Sequence, residues 1–171
     1  RLIVFVDESG ISERPTRVRT WAPKGQTPII QFHFNWKQLS IIAGLTRLNC
    51  LFRFHEGSIK KEEIVEFLKA LKAHLRQPLL IIWDGLKAHR SALVREYLDS
   101  TNGEIQMAFL PPYSPDLNPI ELAFAKLKAF LRAARPRTFE HVCELIATAL
   151  GLFMPDECAN YVRHCGYRVA M

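Results

Sequence analysis

Alternating and continuous apolar runs in the first third of the chain predict short β-strands separated by turns. The opening run, Leu2 to Val6, ends in Asp7-Glu8-Ser9-Gly10, which indicates a strand followed by a turn. Four further runs have the same character: Arg17 to Trp21, Ile29 to Trp36, Leu39 to Leu45 and Cys50 to Phe54. Together these runs predict a meander of antiparallel strands.

The apolar pattern then changes to the period of a helix. Spacings of three and four between Ile64 and Leu75 predict an amphipathic helix that begins near Glu62 and ends before Pro78. The continuously apolar run Leu79 to Trp83 is typical of a strand buried on both faces. The elements predicted next are a helix from Ser91 to Asp99 and a strand from Ile105 to Leu110.

Residues 111–119 read Pro-Pro-Tyr-Ser-Pro-Asp-Leu-Asn-Pro and hold four of the ten prolines, which predicts a stiff loop. The helices predicted after it cover Pro119 to Ala134 and Val142 to Phe153. The whole order indicates an α/β fold, in which an antiparallel meander plus parallel strands form a mixed sheet flanked by helices. A right-handed crossover through the first helix then sets Asp7 and Asp84 at one edge of two neighbouring strands.

Composition narrows the class of protein. The 171 residues are 49% hydrophobic, which fits one globular domain and excludes wholesale disorder. No apolar stretch approaches the roughly 20 residues that cross a bilayer, and no signal peptide is evident. The net charge of +6 suits a polyphosphate partner but is weak evidence by itself. The four cysteines show no CxxC spacing for zinc, so we interpret them as packing residues.

Three acidic residues each lie where an apolar element meets a turn. Asp7 closes the first strand, Asp84 closes the buried strand, and Glu121 opens the helix after the proline loop. Clustered carboxylates are the ligands that a pair of magnesium ions uses to cut a phosphodiester. Structural roles compete with this interpretation, since an Asp is common in turns, and Asn118, Pro119 and Glu121 form a capping-box pattern.

Three motifs resemble the Tc/mariner superfamily of transposases, and within it the bacterial insertion-sequence branch. They are Val6-Asp7-Glu8-Ser9-Gly10, Trp83-Asp84-Gly85 with His89, and the run from Leu110 to Glu121. The resemblance covers essentially the whole chain and implies a ribonuclease-H-like fold. It assigns Asp7, Asp84 and Glu121 as the catalytic carboxylates that hold two Mg²⁺ or Mn²⁺ ions.

The same resemblance implies how the chain is used. We expect residues 1–171 to be a single catalytic domain without the helix-turn-helix region that precedes it in the family. The implied partners are double-stranded DNA, as transposon ends and target, and a second copy of the chain. The implied reaction is strand cleavage followed by strand transfer, in the cytoplasm of a bacterium at the nucleoid.

Basic side chains suggest where DNA lies. Lys128 and Arg132 share the helix side of Glu121 and form a candidate phosphate-binding stripe, although a solvated helix face explains them equally well. The other candidates for DNA contact are Arg14, Arg17, Arg19, Lys24 and His89. Two alternatives stay open at this point: another ribonuclease-H-like nuclease, and a catalytically inactive DNA-binding or interaction module derived from a transposase.

Overall fold

The computed structural model describes residues 1–11, 22–26, 39–134, 136 and 138–168. In this part of the chain the strands are β1 (Leu2–Ile11), β2 (Leu39–Leu45), β3 (Cys50–Glu56), β4 (Leu79–Trp83) and β5 (Ile105–Phe109). The α-helices are α1 (Lys61–Leu75), α2 (Ala92–Ser100), α3 (Ile120–Ala134), α4 (Phe139–Leu150) and α5 (Pro155–His164). A short 3₁₀ turn covers Pro115–Leu117.

The strands form one mixed sheet in the order β3-β2-β1-β4-β5. β1, β2 and β3 pair antiparallel, whereas β4 pairs parallel to β1 and β5 pairs parallel to β4. The antiparallel meander, the parallel crossover through α1 and the adjacency of the first strand to the Leu79 strand are therefore confirmed. The ladder from Leu2↔Leu79 to Phe5↔Ile82 fixes the register between the two central strands.

Helices cover both faces of the sheet, because alternate strand residues point to opposite sides. Val4 and Val6 pack with α1 and α2 residues in one buried cluster, which also contains Trp83. Phe5 packs in the other cluster, with apolar residues of α3, α4 and α5. Consecutive residues of β1 consequently belong to different layers of the protein, and this assigns each polar residue at the strand end to one face.

The turn predicted after Val6 is wrong, because β1 continues to Ile11. Residues Asp7 to Ile11 pair with Ala43 to Leu39 of β2, so the backbone hydrogen bonds of this segment are made within the sheet. Polar side chains at the edge of a buried strand gave the appearance of a turn. The strands predicted over residues 17–21 and 29–36 lie outside the described residues.

The two C-terminal helices also differ from the prediction. α4 begins at Phe139, since the Thr138 hydroxyl accepts a hydrogen bond from the His141 N–H at 3.2 Å, and it ends before Gly151. α5 was not predicted, although acidic residues lie in its first turn and basic residues in its last turn. Its short length and the proline at its start concealed a helical period in the apolar pattern.

Candidate active site

The two central strands place two of the predicted catalytic carboxylates side by side. Asp7 and Asp84 each lie two residues beyond the last pair of the parallel ladder, Phe5 and Ile82. Both carboxylates lie on the face of the sheet that α3 covers, because Phe5 and Ile82, two residues earlier, pack in the cluster that contains α3. The predicted adjacency of the strands that carry Asp7 and Asp84 is confirmed, but Asp7 lies within β1, at the point where its pairing with β4 ends, and not at the end of the strand.

The proline loop connects this edge to the third carboxylate. Its start is fixed where the Leu110 N–H donates to the Trp83 carbonyl at 2.7 Å, directly before Asp84. At its end, Asn118 Nδ2 donates to Asp7 Oδ2 at 3.0 Å. Glu121 follows in the first turn of α3 and is exposed. The loop therefore holds the beginning of α3 against the strand that carries Asp7.

Asn118 does not cap α3, contrary to the predicted capping box. Its side chain is 3% exposed, its Nδ2 group donates to Asp7, and its Oδ1 atom has no hydrogen-bond partner among the described residues. Sequence reasoning missed this residue as part of the site because Asn is common before a helix, where its side chain caps the first backbone N–H groups. The signal available in the sequence was its place inside the proline motif.

The electrostatic state of Asp7 shows how close the negative charges are. Burial raises the pKa of Asp7 to about 7, and the charges of Glu121, Asp84 and Glu8 add to the increase. A hydrogen bond from the Glu8 N–H to Asp7 Oδ1, at 2.8 Å, acts in the opposite direction. Among the described groups that shift this pKa, none is a cation. The cluster is therefore short of positive charge.

A second polar cluster lies behind the carboxylates, on the α1–α2 side of the sheet. His89 is 1% exposed and joins two acids: its Nδ1 lies 2.6 Å from Asp84 Oδ1, and its Nε2 lies 2.9 Å from Glu8 Oε1. The ring stacks on Trp83 at 3.9 Å, and the Trp83 indole N–H donates to Glu8 Oε2 at 3.1 Å. These contacts hold the Asp84 side chain from behind.

Burial alone would lower the pKa of His89, but the hydrogen bond and charge of Glu8, assisted by Asp84, raise it above its usual value. Both ring nitrogens face carboxylate or carbonyl oxygens, an arrangement in which both donate when the ring is an imidazolium. His89 is thus buried and bonded to two acids of the protein itself in this arrangement. Its contact with DNA stays a prediction.

The residues present match a divalent cation in type and in charge. Carboxylate oxygens are the ligands that Mg²⁺ and Mn²⁺ prefer, and the unpartnered Asn118 Oδ1 is a further buried oxygen beside Asp7. In their present positions, no group of three His, Cys, Asp or Glu side chains within the described ranges is gathered into a ready-made metal site. The oxygen donors therefore fit a divalent cation in type, but in this arrangement the Asp7 and Asp84 carboxylates are bonded to Asn118, His89 and the backbone.

The predicted DNA-contacting residues are placed as follows. On α3, Lys128 is half-buried and lies seven residues after Glu121, whereas Arg132 is exposed and lies eleven residues after it. At a rise of about 1.5 Å per residue, these positions are roughly 10 and 16 Å along the helix from Glu121. Lys24 is exposed in a turn. Arg14, Arg17 and Arg19 lie outside the described residues.

A sequence profile described as "DDE superfamily endonuclease" matches residues 2–143, which is most of the chain. The chain belongs to this family of DDE endonucleases. All three carboxylates discussed above, Asp7, Asp84 and Glu121, lie within the matched range. No curated protein matches the sequence of this DDE endonuclease.

Solved structures share the fold of the DDE endonuclease at low sequence identity. The Mos1 strand transfer complex matches with a TM-score of 0.77 and 18% identity over 95% of this chain and 51% of that chain. The Mos1 mariner paired-end complex with Mn has a TM-score of 0.75, with 18% identity over 95% and 52% of the two chains. The catalytic domain of Mos1 mariner transposase gives 0.71, with 18% identity over 95% and 76%.

The DDE endonuclease spans about half the length of the Mos1 complexes that it matches. Its larger share of the Mos1 catalytic domain shows which part of the transposase has the common fold. The predicted ribonuclease-H-like architecture is confirmed, as is the relationship to the DDE superfamily. Within the described residues, no helix is both long and apolar enough to span a membrane.

Proposed function

We propose that residues 1–171 are the catalytic domain of a DDE transposase that cleaves DNA strands and joins them to a target. One observation carries the proposal: strand pairing sets Asp84 beside Asp7, and Asn118, three residues before Glu121, donates to the Asp7 carboxylate at 3.0 Å. Membership of the endonuclease family supports the cleavage chemistry. The Mos1 strand transfer complex supports the joining step by its likeness in fold.

Asp7, Asp84 and Glu121 would hold two Mg²⁺ or Mn²⁺ ions, for which the oxygen donors and the unbalanced negative charge are suited. Such ions, when bound, supply an activated water and stabilise the leaving oxygen. The Mos1 complex solved with Mn supports this choice of cation. The cation would also offset the cost of keeping Asp7 ionised at neutral pH, which its raised pKa shows to be substantial.

The residues of the chain orient these carboxylates. Asn118 and the Glu8 N–H each hold one oxygen of Asp7, and His89 holds one oxygen of Asp84. Fixing both side chains before the reaction reduces the ordering that substrate binding must otherwise achieve. Indirect partners of this kind typically change metal affinity or activity by about 10- to 100-fold when they are removed.

DNA is the proposed substrate, and phosphates provide most of the attraction because the chain has a net charge of +6. Lys128 and Arg132 on α3, with Lys24, Arg14, Arg17 and Arg19, are proposed to contact the DNA backbone. We further propose that two copies act together on paired transposon ends, in the cytoplasm of a bacterium. The paired-end form of the Mos1 complex supports the first of these statements, and the insertion-sequence character of the proline motif supports the second.

A strand-cleavage assay tests the proposal. Labelled duplex DNA is incubated with the chain and Mg²⁺ or Mn²⁺, and the variants Asp7→Asn, Asp84→Asn and Glu121→Gln are compared with the parent. Each variant should cut DNA at least roughly 100-fold more slowly than the parent, since each loses a metal ligand that lowers the activation barrier by several kcal/mol. Asp116→Asn is the matched control, because Asp116 is an exposed acid of the same loop.

Cleavage that is equal in the parent and all three variants would remove these carboxylates from the mechanism. DNA binding without cleavage by the parent, in the presence of either metal, would favour an inactive DNA-binding module instead. The salt dependence of binding tests the stripe on α3 separately: replacing Lys128 and Arg132 with Glu should weaken binding and flatten its dependence on salt.

A further inference from the structure

The proline loop carries an aromatic ring that is fully exposed to solvent. Tyr113 has a relative exposure of 102%, the highest of the large apolar or aromatic side chains in the described part of the chain. An isolated exposed apolar residue is common on protein surfaces. A wholly exposed tyrosine beside a candidate active site is different, because its position is fixed by the loop around it.

The backbone at Tyr113 adopts a conformation that residues other than glycine rarely adopt. Its φ angle is +56°, in the left-handed region that favours glycine. Non-glycine residues in this region are concentrated at functional sites, where the surrounding structure imposes the conformation. Here the conformation turns the ring away from the protein, so a structural explanation from core packing does not apply.

The loop on either side of Tyr113 is restrained. Pro111 and Pro112 precede it, and the Ser114 hydroxyl donates to the Pro112 carbonyl at 3.3 Å. The 3₁₀ turn that starts at Pro115 follows, and the Tyr167 hydroxyl braces that turn by donating to the Leu117 carbonyl at 2.8 Å. Prolines fix φ and reduce the conformations available to the loop. The ring is consequently presented by a stiff support.

The same loop is attached to the catalytic edge at both ends. Leu110 bonds the backbone directly before Asp84, and Asn118 bonds the Asp7 carboxylate. Tyr113 is three residues from the first attachment, and three residues extend at most about 11 Å. The backbone of Tyr113 therefore lies within about 11 Å of Leu110, on the loop that joins the strands of Asp7 and Asp84 to the helix of Glu121.

We propose that Tyr113 is a stacking site for an unpaired nucleobase next to the cleaved phosphodiester. The proposal rests on the proposed function, because it takes the substrate to be DNA at the carboxylates. Every base has a π-face, so an aromatic ring binds an unpaired base without sequence preference. A base held on the ring would keep the strand separated from its complement while the backbone lies in the site. A contact with a second copy of the chain is the competing role for the ring.

Binding measurements without divalent metal test this site apart from catalysis. The probe is a duplex with a three-nucleotide unpaired extension that contains 2-aminopurine, and a fully paired duplex of the same length is the comparison. Binding is followed by fluorescence anisotropy, and stacking by quenching of 2-aminopurine, in EDTA. Tyr113→Ala should weaken binding of the extended duplex by about 5- to 150-fold and abolish the quenching, as expected for the loss of one base–aromatic stack.

The controls separate stacking from other effects of the substitution. Tyr113→Phe and Tyr113→Trp should keep both affinity and quenching, because they keep the ring. Phe54→Ala removes a partly exposed aromatic from β3, at the other edge of the sheet, and should change neither. Tyr113→Gly relaxes the left-handed backbone and should bind as poorly as Tyr113→Ala, which excludes misfolding as the cause.

Three results would overturn the proposal. Tyr113→Ala could bind the extended duplex as well as the parent does, or it could lose affinity equally for the fully paired duplex. A change in the mass of the chain in solution, with DNA binding unchanged, would assign the ring to a contact between copies. In each case cleavage that depends on Asp84 would survive, whereas a parent chain that neither binds nor cuts DNA would remove the proposed function itself.

Discussion

Replacing Asp7 with asparagine should make the metal-free chain more stable while it abolishes cleavage. The wild-type carboxylate is half-buried among Glu121, Asp84 and Glu8, and its pKa is raised from 3.8 to about 7. The folded state therefore holds this proton more tightly than the unfolded state does. As pH rises from about 3.8 to about 7 the wild type loses stability, and above pH 7 it carries the full cost.

The size of the effect follows from the two pKa values. At about 1.4 kcal/mol for each pH unit, the difference between 3.8 and about 7 gives about 4 kcal/mol at pH 8. This value is a ceiling, because water and side-chain movement screen a half-buried charge. At pH 5 the same reasoning gives about 2 kcal/mol or less, since only part of the interval has been crossed.

The hydrogen bonds around Asp7 allow the substitution. The Glu8 N–H can donate to the oxygen of the new amide, as it does to Asp7 Oδ1 now. The amide nitrogen of the new side chain faces Asn118, whose Oδ1 atom is buried without a partner. Turning over the Asn118 amide would let its Oδ1 accept from that nitrogen in place of the present bond to Asp7. The same turn would move Asn118 Nδ2 to the buried position where Oδ1 now lacks a partner, and this reduces the gain in stability.

Thermal unfolding in EDTA at pH 5 and pH 8 measures the prediction. A ceiling of about 4 kcal/mol corresponds to a rise in Tm of roughly 8–16 °C at pH 8 for a chain of this size, with a smaller rise at pH 5. Asp116→Asn, which makes the same change in net charge at an exposed site, should stay within about 0.5 kcal/mol at both pH values. Destabilisation of Asp7→Asn at pH 8, or a gain that is the same at both pH values, would refute the reasoning.

Three further predictions concern the core, the buried ion cluster and the metal. Gly44→Ala should destabilise the fold by about 1–3 kcal/mol in urea unfolding, since the added Cβ would lie 3.0 Å from a valine methyl, whereas Gly10→Ala meets nothing within 4 Å. His89→Leu should cost about 2–4 kcal/mol by leaving the Glu8 carboxylate short of a partner, and adding Glu8→Gln should recover part of that loss. Millimolar Mn²⁺ should raise the Tm of the wild type but not of Asp84→Asn in a thermal shift assay at pH 7.5, and an equal rise in both would place the ion elsewhere.

The apolar pattern predicted the sheet well because burial on both faces leaves little choice of structure. The run from Leu79 to Trp83 is a central strand, and its parallel pairing with β1 brings Asp84 to the edge that Asp7 occupies. The end of β1 was harder to predict, since Asp7 to Ile11 pair with β2 despite their polar composition. Pairing between distant strands is a tertiary effect that local propensity does not contain.

The site was predicted in its acids but not in the groups that hold them. Asn118 has the sequence context of a helix cap, and only the folded chain shows that its side chain is used by Asp7. The role of Glu8 likewise depends on Trp83 and His89, which are distant in sequence and contact it on the α1–α2 side of the sheet. Contacts of this kind come from the register of the strands, so spacing along the chain does not reveal them.

The neighbouring acids Asp7 and Glu8 have different roles because they lie on opposite faces of one strand. Asp7 is the proposed metal ligand, whereas Glu8 bonds Trp83 and His89. Sliding β1 by a single residue would bring Glu8 to the face of α3 and send Asp7 toward Trp83, exchanging a reactive group with a supporting one. One inserted or deleted residue between the start of β1 and Asp7 should therefore silence the enzyme while both acids survive intact.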